Sequence, residues 1–100
     1  MQDNFNEQRK QKEAIEAKLL YETISEILVS CRKAKGIKYT DFCYENDIPM
    51  STYNDIIKSK GNASFYKISQ IVKGLELNFE QFGRLLDENL PKKFWDLEWL

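Results

Sequence analysis

Ile48 to Val72 reads IPMSTYNDIIKSKGNASFYKISQIV. A short polar run, PMSTYND, stands between apolar residues on either side. It presents side chains instead of burying them, and the rest of the chain has to say toward what.

Working outward from that stretch, Pro49 is expected to open a helix over Met50 to about Lys58, since a missing N–H costs nothing at a helix start. Its apolar set is Ile48, Tyr53, Ile56 and Ile57. SKGNAS is a loop, and Ser64 caps a further helix with Phe65, Ile68, Ile71, Val72 and Leu75 inward and Gly74 near its end. Before the stretch, a short helix fits Tyr39–Asn46, with Phe42 and Cys43 inward and Tyr39 as a further candidate. Asn46 and Asp47 supply the turn, because Asn and Asp tolerate left-handed dihedrals better than most residues.

Residues 1–35 contain neither Gly nor Pro. From Ile15 the apolar positions Ile15, Leu19, Leu20, Ile24, Ile27, Leu28 and Cys31 fall mostly in steps of three and four, the spacing of an amphipathic helix. Ahead of Ala14 the pattern fades, so residues 1–14 are a polar N-terminal extension, either solvated helix or a frayed arm. Gly36 ends the helix, with Arg32, Lys33 and Lys35 at the negative end of its dipole. Downstream, Asn78 is an N-cap with Gln81 three residues on, and Leu77 and Phe82 can staple the turn. That helix runs to about Glu88, and Pro91 stops further helix. The expected fold is all-α with five helices, a domain over residues 15–90, and an aromatic tail over 91–100.

One hundred residues with 42% hydrophobic content suffice for one core. The 15 basic and 16 acidic side chains give a net charge of −1. That excludes a grossly basic coat, though not a local basic face. Residues 75–100 hold three basic and six acidic groups, so the acidic excess sits near the C-terminal end. With no histidine, His triads, His bases and His metal ligands are excluded. Cys31 and Cys43 are too few for a structural zinc site and read as small buried thiols of a reducing compartment, with a disulfide as the alternative. No metal and no cofactor is expected. The carboxylates are spread over helix surfaces, so no enzymatic activity is expected. The N-terminus lacks the apolar core of a signal peptide, and no apolar run reaches the roughly 20 residues that span a bilayer. A soluble, cytoplasmic protein is expected.

Short helix, turn, short helix, loop, helix is the plan of a helix-turn-helix. From Lys35 to Leu75 the chain, KGIKYTDFCYENDIPMSTYNDIIKSKGNASFYKISQIVKGL, resembles the Cro and phage-repressor type of helix-turn-helix domain, the xenobiotic-response-element family. Its apolar pattern coincides at Ile37, Phe42, Ile48, Tyr53, Ile56, Phe65, Ile68, Ile71 and Leu75. Cys43 stands where the family has a small Ala, Asn46 where it has Leu, and Asp47 where it has a turn Gly. Lys38 replaces the Thr that starts the first helix of the pair and is a poor cap; Tyr39 replaces Gln, Ile57 Glu, Ser59 Gly and Ala63 Pro.

The resemblance implies a lambda-repressor-like bundle that binds double-stranded DNA, with Met50–Lys58 as the recognition helix in the major groove. Met50, Ser51, Thr52, Asn54 and Asp55 would then read bases: Asn54 an adenine edge, Met50 a thymine methyl, Asp55 a cytosine amine. Asp55 is otherwise placed to pair with Lys58. Lys38, Tyr39, Lys58, Lys60, Asn62 and Ser64 would contact phosphates. Members of the family bind as homodimers. Phe94, Trp95, Leu97, Trp99 and Leu100 of the tail, or Phe5, Ile15 and Leu19 of the first helix, would supply the contact, unless the tail folds back on its own domain. The implied function is a transcriptional regulator, a phage or mobile-element repressor acting by operator occupancy. The alternative is a protein-interaction module on the same fold, an antirepressor or accessory regulator.

Overall fold

A computed structural model of the chain describes residues 2–58 and 63–96, with side chains from Asn6 onward. Among the described residues there are six helices and no strand: α1 (Gln2–Ala34), α2 (Tyr39–Glu45), α3 (Met50–Ile57), α4 (Phe65–Gly74), α5 (Phe79–Asn89) and α6 (Lys92–Trp95). The expectation of five helices is corrected at Pro91. This residue follows the end of α5, but its dihedrals of −60° and 144° also start a further turn, for which it serves as N-cap.

Helix α1 is continuous through the polar extension. Its 33 residues correspond to roughly 50 Å at 1.5 Å per residue, which accounts for the long axis of a 53 × 26 × 18 Å molecule. Ion pairs one turn apart, Arg9–Glu13 at 3.5 Å and Lys18–Glu22 at 3.9 Å, support the exposed part. The other half enters the core. Ile24, Ile27 and Leu28 are buried, while Leu20, Tyr21 and Cys31 pack at its margin. Helices α3, α5 and α6 all rest on α1.

Three helices end in the same way. Gly36, Asp47 and Glu76 have φ of 70°, 53° and 61°. In each case the next residue's N–H reaches back across the last turn: Ile37 to Arg32 O, Ile48 to Cys43 O and Leu77 to Val72 O, at 3.4, 2.9 and 3.1 Å. These are Schellman terminations, in which the left-handed residue is followed by an apolar residue that folds onto the core. Ile48 is buried, and Ile37 and Leu77 pack against the core cluster. The Asp47 turn was legible from its residue type; nothing local marked Glu76.

Helix starts follow the sequence closely. Ser64 Oγ accepts from Lys67 N–H at 3.2 Å. Asn78 and Gln81 form a complete capping box at 2.8 and 2.9 Å. Lys38 makes no side-chain cap for α2. Pro49 stands at the N-cap of α3, one position before the expected first helical residue. The core is built on Leu28, Phe42, Cys43, Ile71, Val72 and Leu75. Phe65, expected inward, is 64% exposed. It begins α4 outside the stripe that Ile68, Ile71 and Val72 turn inward, and its ring lies against Phe79 with centroids 5.6 Å apart.

Candidate nucleic-acid interface

The outer face of α3 follows from its period. Tyr53 and Ile56 are buried, so residues on the opposite side point to solvent. Ser51, Asn54, Asp55 and Lys58 follow the i, i+3, i+4, i+7 spacing of one stripe. Ser51, Asp55 and Lys58 are exposed and Asn54 is half-buried. Met50, 44% exposed, and half-buried Thr52 flank the stripe. The five residues expected to read bases therefore lie on or beside one surface. It offers a hydroxyl, an amide, a carboxylate, an ammonium and a thioether, which can donate to or accept from flat polar edges.

What holds α3 is not visible from its own residues. Ser25 of α1 donates to Ile57 O at 2.5 Å, closing the C-terminal end of α3 onto α1. Arg32, also on α1, donates through Nε to Tyr53 Oη at 2.8 Å and through Nη1 to the carbonyl of Ile37. One guanidinium thus ties the α1–α2 connection to the middle of α3. Sequence reasoning assigned Arg32 to the helix dipole and gave Ser25 no role. The partners are 21 and 32 residues away, and no local spacing announces them.

Tyr53 shows the cost of that burial. Desolvation pushes its phenol above the ordinary value of 10.0, and the hydrogen bond and charge of Arg32 only partly oppose this. The folded chain therefore keeps the Tyr53 proton to higher pH than the unfolded chain does. This part of the stability is fully present below about pH 10 and is lost as pH rises above it. Tyr53→Phe is expected to make the alkaline decline in urea midpoint shallower. At neutral pH it is expected to cost about 1–2 kcal/mol, because Arg32 Nε loses its acceptor. An unchanged alkaline slope would refute the assignment. Burial likewise raises the Cys43 thiol, with Arg32 opposing, so Cys43 is held as an inert thiol. Cys31 and Cys43 are both free.

Of the residues expected at phosphates, Lys38, Lys58 and Ser64 are exposed. Tyr39 is 43% exposed, its ring stacked parallel to Tyr53 at 6.3 Å. Ser64 Oγ is already engaged as the α4 cap. Lys60 and Asn62 lie outside the described residues. Two carboxylates, Glu45 and Asp47, are exposed beside the α2–α3 turn. In the tail, Phe94 is half-buried and meets the 63% exposed Trp95 edge-on at 4.9 Å; Leu97, Trp99 and Leu100 lie outside the described residues. Among the described residues no group of three or more side chains is placed to hold a metal ion, and no helix is long and apolar enough to cross a membrane. Comparison with protein-family models, with curated proteins and with solved structures gives no match.

Proposed function

We propose that the protein is a sequence-specific DNA-binding transcriptional regulator with a lambda-repressor-like arrangement of helices. In this reading it is a repressor of phage or mobile-element type, and acts as a homodimer that occupies an operator. The observation that carries the reading is the outer face of α3: polar side chains in a single stripe on a helix braced from beneath by Ser25 and Arg32. Sequence readout needs such a face, because base contacts discriminate only if their donors and acceptors are held in register. Lys38 and Lys58 add exposed cations before α2 and after α3. The exposed Phe65–Phe79 pair favours a second reading, in which the chain is an interaction module and a protein is its ligand.

Salt separates the two. Phosphate binding releases counterions and weakens steeply with salt, whereas an apolar interface does not. Fluorescence anisotropy with a mixed AT-rich duplex is expected to show binding whose logarithm falls linearly with the logarithm of salt. The double substitution Lys58→Ala, Lys60→Ala is expected to reduce that slope by about 4, because each copy of the dimer loses two phosphate contacts at roughly one unit apiece. Absence of binding at low salt would sink the DNA reading.

A further inference from the structure

Between α4 and the start of α5 lies a groove of about 340 Å³, lined by Ser69, Val72, Lys73, Leu77, Asn78 and Phe79. Its floor is largely apolar, and its lining contains one cation and no carboxylate. Phe79 is 60% exposed and leans on Phe65, also largely exposed, so an aromatic pair stands at the groove's edge. Two phenyl rings left in water beside an apolar groove mark an interaction surface, since apolar patches of this kind are otherwise covered.

The sequence contains a complementary segment. Residues 95–100 read WDLEWL, four apolar side chains with Asp96 and Glu98 between them. Tryptophan is the residue most often dominant in interface energetics, and the two acids match the charge of Lys73. In its own chain the segment follows the far end of α5 from the groove. The groove lies at the N-terminal end of α5, whose 11 residues run about 16 Å away from it. Helix α6 then rests on α1. The four residues after Asp96 span at most about 14 Å.

We propose that the α4–α5 groove is the docking site for the 95–100 segment of a second copy of this chain. Each copy gives its segment and receives the other's, a self-complementary two-fold contact. The apolar side chains occupy the groove beside Phe79, and an acidic side chain meets Lys73. This rests on the homodimer part of the function proposed above and is independent of its DNA part.

Sedimentation equilibrium of the full chain tests it. Wild type is expected to dimerise. Phe79→Ala and Lys73→Glu are each expected to raise the dimer dissociation constant about tenfold or more. Both residues are exposed, so far-UV circular dichroism should be unchanged. Lys73→Glu combined with Asp96→Lys and Glu98→Lys is expected to restore dimerisation. A wild-type dimer that neither single substitution weakens would overturn the groove as the contact while leaving the homodimer standing. Weakening by Lys73→Glu without rescue would overturn the choice of occupant. A chain that stays monomeric at every concentration would overturn both this proposal and the homodimer, without bearing on DNA binding, which the anisotropy series reads separately.

Discussion

Leu28→Ala is expected to lower the unfolding free energy by about 3–5 kcal/mol, the upper range for a fully enclosed leucine. Leu28 has no exposed surface and sits on α1, the helix on which α3, α5 and α6 all rest. Removing its isobutyl group loses the transfer free energy of the buried carbons. It also leaves a cavity that cannot close, because the neighbouring elements are held by separate ties: Ser25 to Ile57, Arg32 to Tyr53 and to Ile37. Domains of this size have only about 5–15 kcal/mol to lose, so the variant should unfold at a far lower urea concentration with an unchanged m-value. Ala17→Gly, at an exposed position on the same helix, gives the contrast. It weakens α1 locally by about 1 kcal/mol and should leave the urea midpoint almost where it is. A Leu28→Ala loss below about 1 kcal/mol would mean that α1 is not the strut of the fold.

This two-part character of α1 was half legible in the sequence. The periodic run from Ile15 named the residues that reach the core, because apolar spacing reports burial directly. The part before it has no such stripe, and whether a polar segment stays helical depends on charge pairs and end effects that leave little mark on a hydropathy pattern. Caps were legible wherever the capping side chain is itself the signal, as at Ser64 and Asn78. They were invisible at Glu76, where a left-handed glutamate ends α4 and the fold imposes the dihedral. Phe65 misled for a related reason: an aromatic one residue inside a helix start reads as core, yet its ring is shared with Phe79 on another helix, fourteen positions along the chain.

The same division holds at the candidate interface. Which residues α3 turns outward follows from a period of 3.6 and two buried positions, so Ser51, Asn54 and Asp55 could be named in advance. How firmly that face is held could not, because the holding is done by side chains of α1 and α2 whose positions only tertiary structure brings together. Tyr53 illustrates this. Its hydrophobic spacing predicts burial, but only the fold supplies Arg32 at its hydroxyl, Tyr39 across one ring face and Phe42 at 5.9 Å. An outer face built this way responds to mutations that never touch it.

Gly74→Val should show that response, with an expected loss of about 3 kcal/mol from overpacking. Gly74 closes α4 with ordinary right-handed helical geometry, so dihedral freedom does not explain a glycine there. Space does: a Cβ at this position would stand 2.8 Å from both Asn46 Cγ and Phe42 Cζ. The two contacts differ in how they can give way. Asn46 is half-buried, but its amide is committed to Phe42 O at 2.8 Å. Phe42 is 1% exposed and packed against Tyr53, so its ring has nowhere to go. Better helix propensity than glycine returns less than about 1 kcal/mol, which leaves the steric term in control. The branched side chain must therefore push α2 away from α4, and α2 carries the turn that sets α3. Urea unfolding gives the stability loss, and near-ultraviolet circular dichroism of the tyrosines reads the shift in Tyr53. Asn46→Ala in the same chain removes one of the two obstructing groups. It should recover part of the loss, with a coupling of about 1 kcal/mol. Strict additivity of the two substitutions would mean that α2 and α4 do not meet at this glycine, and that the spacing of the α2–α3 pair is set elsewhere.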